Sequence, residues 1–335
     1  MVIEINSDEV LTAPVASATV MVLRDSPNGP EVLMMRRHGN SSVLGGAHVF
    51  PGGKLDPQDL QVDPALLDQP PARLRDALGE PDLDEPLAAG LHLAALRETL
   101  EECGLLLADR IDPEALREAE TRLRAGEGFV PTLTALGLPL QTARLAPWSR
   151  WITPRVPSVT RSRFDTRFFL AEAPADQDAR HDDHEATETL WVLPAAGLRQ
   201  YWEGAIDLAP PQIMSLCQLA RFNSVAALMA AARSRRPPLV EPEAFDVEGE
   251  RVICYPGDPR HSVAERAWPT GTAGSSRREA WPICCHRPDA RCSCLWSNRR
   301  PPYAGMGLKS FEFQFFSAVG SASARWRIAA RPRSG

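Results

Sequence analysis

The run Arg97-Glu98-Thr99-Leu100-Glu101-Glu102-Cys103-Gly104-Leu105 places Glu98, Glu101 and Glu102 at i, i+3 and i+4. On a helix that spacing puts three carboxylates on one face. Like charges so placed repel one another and weaken a bare helix. A divalent cation resolves the conflict, because hard cations such as Mg²⁺ or Mn²⁺ take oxygen ligands and commonly hold substrate phosphates on the same ion. Arg97 stands about 100° round the helix from Glu98, placed to orient a glutamate through a charge-assisted hydrogen bond. Upstream, Val49-Phe50-Pro51-Gly52-Gly53-Lys54 reads as an apolar strand stopping in a glycine turn, where backbone can approach a ligand closely.

The elements that must position these groups are legible around them. At about 100° per residue, Ala89, Leu93, Leu96, Leu100 and Cys103 fall opposite Glu98, so one face is a core stripe and the other a carboxylate cluster. Ala94 and Ala95 are small and leave room for a ligand beside it. Asp84 is a suitable N-cap, Pro86 fits the first turn and Gly104 fits the C-terminal cap, which predicts a helix over about Glu85–Cys103. Val15–Leu23 and Glu31–Arg36 read as a hairpin around Pro27-Asn28-Gly29-Pro30. Pro113–Leu123, Pro194–Trp202 and Pro211–Ala232 have helical periodicity. Arg163–Leu170 and Thr189–Leu193 have strand composition. The Gly126–Pro139 region reads as looser chain, and Asp176–Glu188 is polar enough for a surface loop. The alternation predicts an α/β fold with a mixed sheet between helices.

Glutamates on a solvated helix face are ordinary, but the glycine pair together with the Arg-Glu-x-x-Glu-Glu run resembles the Nudix box, Gly-x5-Glu-x7-Arg-Glu-apolar-x-Glu-Glu-x-Gly-apolar. The similarity covers roughly residues 14–235. It departs from the pattern in three ways. Gly53 precedes Arg97 by 44 residues, so about 30 are inserted within the box. Counted back from Arg97, the first glutamate falls on Ala89. Thr99 replaces an aliphatic residue. The interruption resembles the branch containing coenzyme A and acyl-coenzyme A diphosphatases.

The resemblance implies a Nudix α/β/α sandwich over residues 12–235, with a helical insertion at 57–84 and a C-terminal helix. The change in composition beyond it predicts an extension over 236–274 and a basic, poorly ordered tail over 275–335. The resemblance also implies Mg²⁺- or Mn²⁺-dependent hydrolysis of a nucleotide's diphosphate linkage. Glu98, Glu101, Glu102 and the Gly53 carbonyl are the expected metal ligands, with Glu185 or Glu188 as a further carboxylate. Arg36, Arg37, Gly52 and Trp148 are expected to meet the substrate: the arginines at phosphate, Trp148 or Trp151 by stacking on adenine. Coenzyme A or an acyl-coenzyme A is the favoured substrate, cut to adenosine 3′,5′-bisphosphate and 4′-phosphopantetheine. ADP-ribose, NADH or a nucleoside triphosphate would keep the mechanism. Ala89 leaves open a ligand-binding module without catalysis, although three repelling carboxylates serve no purpose there.

Composition narrows the field. The net charge of −6 combines +8 after residue 270 with −14 before it, which argues against nucleic-acid binding by the acidic part. No run of 18 apolar residues suggests a membrane span, the N-terminus lacks the pattern of a signal peptide, and Cys103 and Cys217 sit in apolar helical patterns. These features predict a cytoplasmic protein acting on a small nucleotide. In the tail, Cys284, Cys285, Cys292, Cys294 and His286 are poorly spaced for zinc, and His181 and His184 lie in an acidic loop best read as solvated.

Overall fold

The computed structural model describes residues 9–39, 45–156, 162–180, 186–247, 250–268, 313–315 and 325–328. The chain divides into two compact units. One comprises Val15–Trp151 and Asp165–Pro238, and the other Met1–Pro14, Ile152–Phe164 and Leu239–Gly335.

The larger unit is a mixed sheet with flanking helices. Its strands are β1 (Val15–Ser26), β2 (Gly29–Arg37), β3 (His48–Val49), β4 (Gly52–Lys54), β5 (Ala146–Ile152), β6 (Phe164–Glu172) and β7 (Ala186–Val192). They run in the order β3-β2-β1-β6-β5, with β4 added to β1 and β7 to β2. The β1–β2 hairpin closes at Ser26↔Gly29, where the Ser26 hydroxyl donates to the Gly29 carbonyl at 2.8 Å and Gly29 takes φ 114°. Beyond the hairpin, β1 pairs with β4 through Ser17↔Lys54, Ala18↔Gly53 and Thr19↔Gly52. The glycine pair is therefore a strand on β1 rather than the expected turn. Gly52 has φ 154°, and a Cβ there would collide with the Ala18 carbonyl and the Thr19 backbone, so only glycine allows the pairing.

The glutamate helix, α2 (Glu85–Cys103), follows α1 (Pro71–Leu78) and has the bounds that its caps dictate. The Asp84 side chain accepts from the Leu87 amide at 2.7 Å, and Gly104 ends the helix in the left-handed conformation at φ 65°. Ala89, Leu93, Leu96, Leu100 and Cys103 are buried against the sheet. Each buried leucine there contributes roughly 1.5–3 kcal/mol. Ala94 and Ala95 belong to this core as well, so the space expected beside them for a ligand is filled by packing.

The remaining helices are α3 (Pro113–Arg124), α4 (Phe129–Ala135), α5 (Pro194–Glu203), α6 (Pro210–Leu219) and α7 (Val225–Arg233). Helix α4 occupies the stretch expected to be loose. The single helix expected over Pro211–Ala232 is two. Ser224 caps α7 by accepting from the Ala227 amide at 3.2 Å, and Asp25 accepts from the Val225 amide at 2.9 Å. Those new N-terminal partners make a break cheaper than a continuous helix. Strand β7 starts at Ala186, inside the expected loop.

The smaller unit contains β8 (Leu239–Val240) and an antiparallel sheet of β9 (Glu243–Val247), β10 (Glu250–Cys254), β11 (Phe313–Phe315) and β12 (Arg325–Ile328), ordered β11-β12-β10-β9. Two short segments of the basic tail are thus strands, while its cysteines and His286, like His181 and His184, lie outside the described residues. Among the described residues, no helix is long and apolar enough to cross a membrane.

His92 of α2 is fully enclosed, its Nδ1 2.8 Å from the Ala88 carbonyl and its ring edge-on to Phe169 at 4.9 Å. Burial pulls its pKa down from 6.5 to about 4 against smaller opposing effects of Ala88 and Asp68. A depressed folded-state value means that stability is complete above pH 6.5 and falls as the pH drops through 4. The shift corresponds to about 3 kcal/mol. Urea unfolding at pH 7 and pH 4 should show His92→Leu losing about that much less than wild type between the two pH values. Equal losses would mean that His92 is not buried neutral.

Candidate active site

Three chain segments meet at the carboxylates: β4, the C-terminal half of α2, and a 3₁₀ turn at Pro57–Gln61 that opens the insertion. Glu102 is only 5% exposed, and its Oε2 accepts from the Gly52 amide at 2.8 Å. A Cβ on Gly53 would run into the Glu98 carboxylate, so strand backbone lies directly against that side chain. The two glycines let β4 approach the charged face of α2 more closely than any other residue would permit.

Arg97 ties the cluster together. Its side chain is 13% exposed and makes five hydrogen bonds. One Nη1 donates to Glu98 at 2.9 Å and to Glu101 at 3.0 Å. Nη2 reaches the Lys54 carbonyl at 3.0 Å. Nε and Nη2 grip the Asp59 carboxylate at 3.1 and 3.0 Å, a two-pronged contact. Burial disfavours the guanidinium charge, but the hydrogen bonds that Arg97 donates to Asp59 and the fields of Glu98, Asp59 and Glu101 outweigh it and hold the pKa above the ordinary value. Glu101 shifts upward because burial outweighs the attraction of Arg97.

Asp59 is the residue that counting back from Arg97 missed. It is 2% exposed, and its other partner is the Asp56 amide at 2.8 Å, the reciprocal half of a capping box. Counted forward from Gly53, Asp59 occupies the place of the first acid of the Nudix box. Ala89, which occupies that place counted backward, is in the core. The extra residues therefore lie between Asp59 and Arg97, and the shorter acid still reaches its arginine. The forward count was the available signal.

All the donors are hard oxygens, and the glycine cradle at Glu98 would be filled by any Cβ, so the residues fit a Mg²⁺- or Mn²⁺-type ion. Among the described residues no three acidic, histidine or cysteine side chains already converge as a cage, since Glu98 and Glu101 turn to Arg97 and Glu102 to Gly52.

The other expected residues divide. Arg36 is exposed on β2, in register with His48 of β3 and Glu188 of β7. Arg37 is next to it, half-buried, with a buried Nε that has no hydrogen-bond partner among the described residues. His48 is buried, its Nδ1 likewise unpartnered there. Its pKa is lowered by burial, with Glu188 and Asp207 opposing and Arg36 assisting. Neither arginine is bonded to the Glu98–Glu102 cluster among the described residues. Glu185 lies outside them. Trp148 does not present a face to a nucleotide: it is 2% exposed, with Arg235 stacked 4.2 Å above its ring and Phe222 against its edge. Trp151 is buried beside Phe168. Both tryptophans are core.

Sheet, glycine strand and glutamate helix together define a Nudix domain, and the chain belongs to the NUDT19 Nudix domain family, which it matches over residues 8–219. Proteins named acyl-coenzyme A diphosphatase NUDT19 are similar to it. The one from Gallus gallus is 30% identical over 244 residues, covering 60% of this chain and 64% of that protein. The one from Homo sapiens is 29% identical over 237 residues, covering 60% and 63%. The chain thus spans a little under two thirds of the length of these curated relatives. A crystal structure of a Nudix hydrolase from Alicyclobacillus acidocaldarius is 29% identical and superposes with a TM-score of 0.52, covering 66% of this chain and 97% of that one.

Removing the Asp59 carboxylate leaves a mostly buried guanidinium short of a partner, and breaking such a pair costs about 3–5 kcal/mol. Because Glu98, Glu101 and Lys54 remain, Asp59→Ala should cost about 3 kcal/mol in urea unfolding, whereas Ala89→Ser should leave Arg97 unaffected. A loss below about 1 kcal/mol for Asp59→Ala would contradict the pairing.

Proposed function

We propose that this chain hydrolyses the diphosphate linkage of coenzyme A or an acyl-coenzyme A, releasing adenosine 3′,5′-bisphosphate and the 4′-phosphopantetheine half. The observation that carries the reading is the cluster of Glu98, Glu101 and Glu102 gathered on Arg97 against Gly52 and Gly53, in a chain whose family relatives bear the acyl-coenzyme A diphosphatase name. In the reaction a water oxygen bonds to one phosphorus and the bridging P–O bond breaks. The other phosphate leaves with the bridging oxygen.

Glu98, Glu101 and Glu102, with the Gly53 carbonyl, would hold the divalent ion, which supplies charge neutralisation at the diphosphate oxygens. Arg97 fixes the directions of Glu98 and Glu101. One carboxylate of this cluster would receive the proton of the attacking water. Arg36 and Arg37, at the end of β2, supply cationic contacts for substrate phosphate.

Mass spectrometry of products from a mixture of coenzyme A, acetyl-coenzyme A, ADP-ribose, NADH and nucleoside triphosphates tests the reading. Adenosine 3′,5′-bisphosphate should be released with Mg²⁺ and disappear with chelator. AMP from ADP-ribose or NADH instead would discard the coenzyme A substrate, and no metal-dependent product would discard hydrolysis. Glu102→Gln should lower kcat by at least ~10²-fold. Gly53→Ala should lower kcat in the same direction through displacement of Glu98, while both variants keep the wild-type circular dichroism spectrum.

A further inference from the structure

A second concentration of charge, of opposite sign, lies elsewhere in the larger unit. A cavity of about 730 Å³ opens between α1 of the insertion, the chain around Ala143–Pro147 and the end of α7. Five arginines line it: Arg73 and Arg75 from α1, and Arg233, Arg235 and Arg236 at the end of α7. Among its described lining residues the two carboxylates are already engaged. Asp76 pairs with Arg75 at 3.1 Å, and Glu80 is held between Arg150 and Arg167, both at 2.7 Å. Among the described residues Arg73 and Arg236 have no ion-pair partner, and Arg233 donates to the Ala143 carbonyl at 3.3 Å.

One cation at each helix C-terminus suits the helix dipole. That explains Arg75 and Arg233, which stand in the last turns of α1 and α7. Arg235 is stacked on Trp148, but neither the dipole nor a ring explains Arg73 and Arg236 lining the same space within the acidic part of the chain. The arrangement is also built in. Gly79 ends α1 at φ 68°, and a Cβ there would approach the Arg236 stem to 2.5 Å. The glycine admits Arg236 to the rim.

Arginine forks arriving from two helices suit an acceptor with several oxygens and more than one negative charge. The volume lies within the ~300–1,000 Å³ of small-molecule sites, larger than a lone ion requires. None of the residues that gather Glu98, Glu101 and Glu102 lines the cavity. We propose that this arginine-lined cavity is a second ligand site, separate from the glutamate cluster, that binds a phosphate-bearing small molecule. The inference does not depend on the proposed hydrolysis.

Isothermal titration in EDTA tests it, because the glutamate cluster then repels anions and no turnover occurs. The probes are inorganic pyrophosphate and adenosine 3′,5′-bisphosphate, titrated separately into the full chain. Saturable binding of either is expected, weakened at least tenfold in Arg73→Glu/Arg236→Glu and unchanged within twofold in Glu98→Gln/Glu102→Gln. Tighter binding of the nucleotide than of pyrophosphate would make the ligand a phosphorylated nucleoside, and the reverse a simple phosphate compound. Should the double variant not fold, Arg73→Gln, at an exposed helical position, must weaken binding at least threefold. No binding of either probe at millimolar concentration, binding indifferent to the arginines, or binding lost with the glutamates would overturn the proposal.

Discussion

The larger unit depends on one guanidinium. Arg97 is the point where the insertion, the glycine strand and the glutamate helix are tied, through Asp59, the Lys54 carbonyl, Glu98 and Glu101. Without it, carboxylates on one helix face, with Asp59 from another segment, would be packed into a partly buried space with only repulsion between them. The same bonds that cancel this repulsion also fix direction. A planar fork with donors on three edges cannot satisfy Asp59, Glu98 and Glu101 together unless each segment arrives at a fixed angle. Lysine could cancel the charge but not impose the angles. Electrostatic relief and positional accuracy are here one interaction.

The helix was readable because its signals are local. Asp84, Pro86 and Gly104 mark its ends, and the apolar positions repeat at helical period, so both bounds and buried face follow from about twenty consecutive residues. What escaped reading depended on distant partners. The break between α6 and α7 rests on Asp25, some 200 residues away in sequence, which gives the Val225 amide a partner that no neighbour supplies. The glycine pair forms a strand because β1 extends past its own hairpin to receive it. Trp148 has the composition of a stacking platform, and only tertiary packing shows Arg235 and Phe222 already upon it. Asp59 was hidden by a matter of register. In an interrupted motif a position can be counted from either end, and the two counts agree only when nothing intervenes.

Asp59 also shows how an insertion of this length is tolerated. Loop closure costs grow only with the logarithm of length, so the added chain between Asp59 and Arg97 is a modest entropic burden if its ends are pinned. One end is pinned by the Asp56–Asp59 capping box and the grip of Arg97. The other end runs through α1, which packs on α2, into the Asp84 cap. Between these anchors the insertion forms structure of its own, and Glu80 sends a carboxylate to Arg150 on β5 and Arg167 on β6.

This makes the insertion more than a spacer. One of its ends orders the acidic cluster through Asp59, and its helix supplies arginines to the basic cavity. The glutamates stand on α2 with its core stripe, and the arginines stand on α1 and at the end of α7, where the Arg236 stem lies against Gly79. A cation would relieve the repulsion at the glutamates, and the proposed anion would relieve it at the arginines. In sequence the two places are joined by the 3₁₀ turn at Pro57–Gln61 and α1, and both of these elements pack on α2.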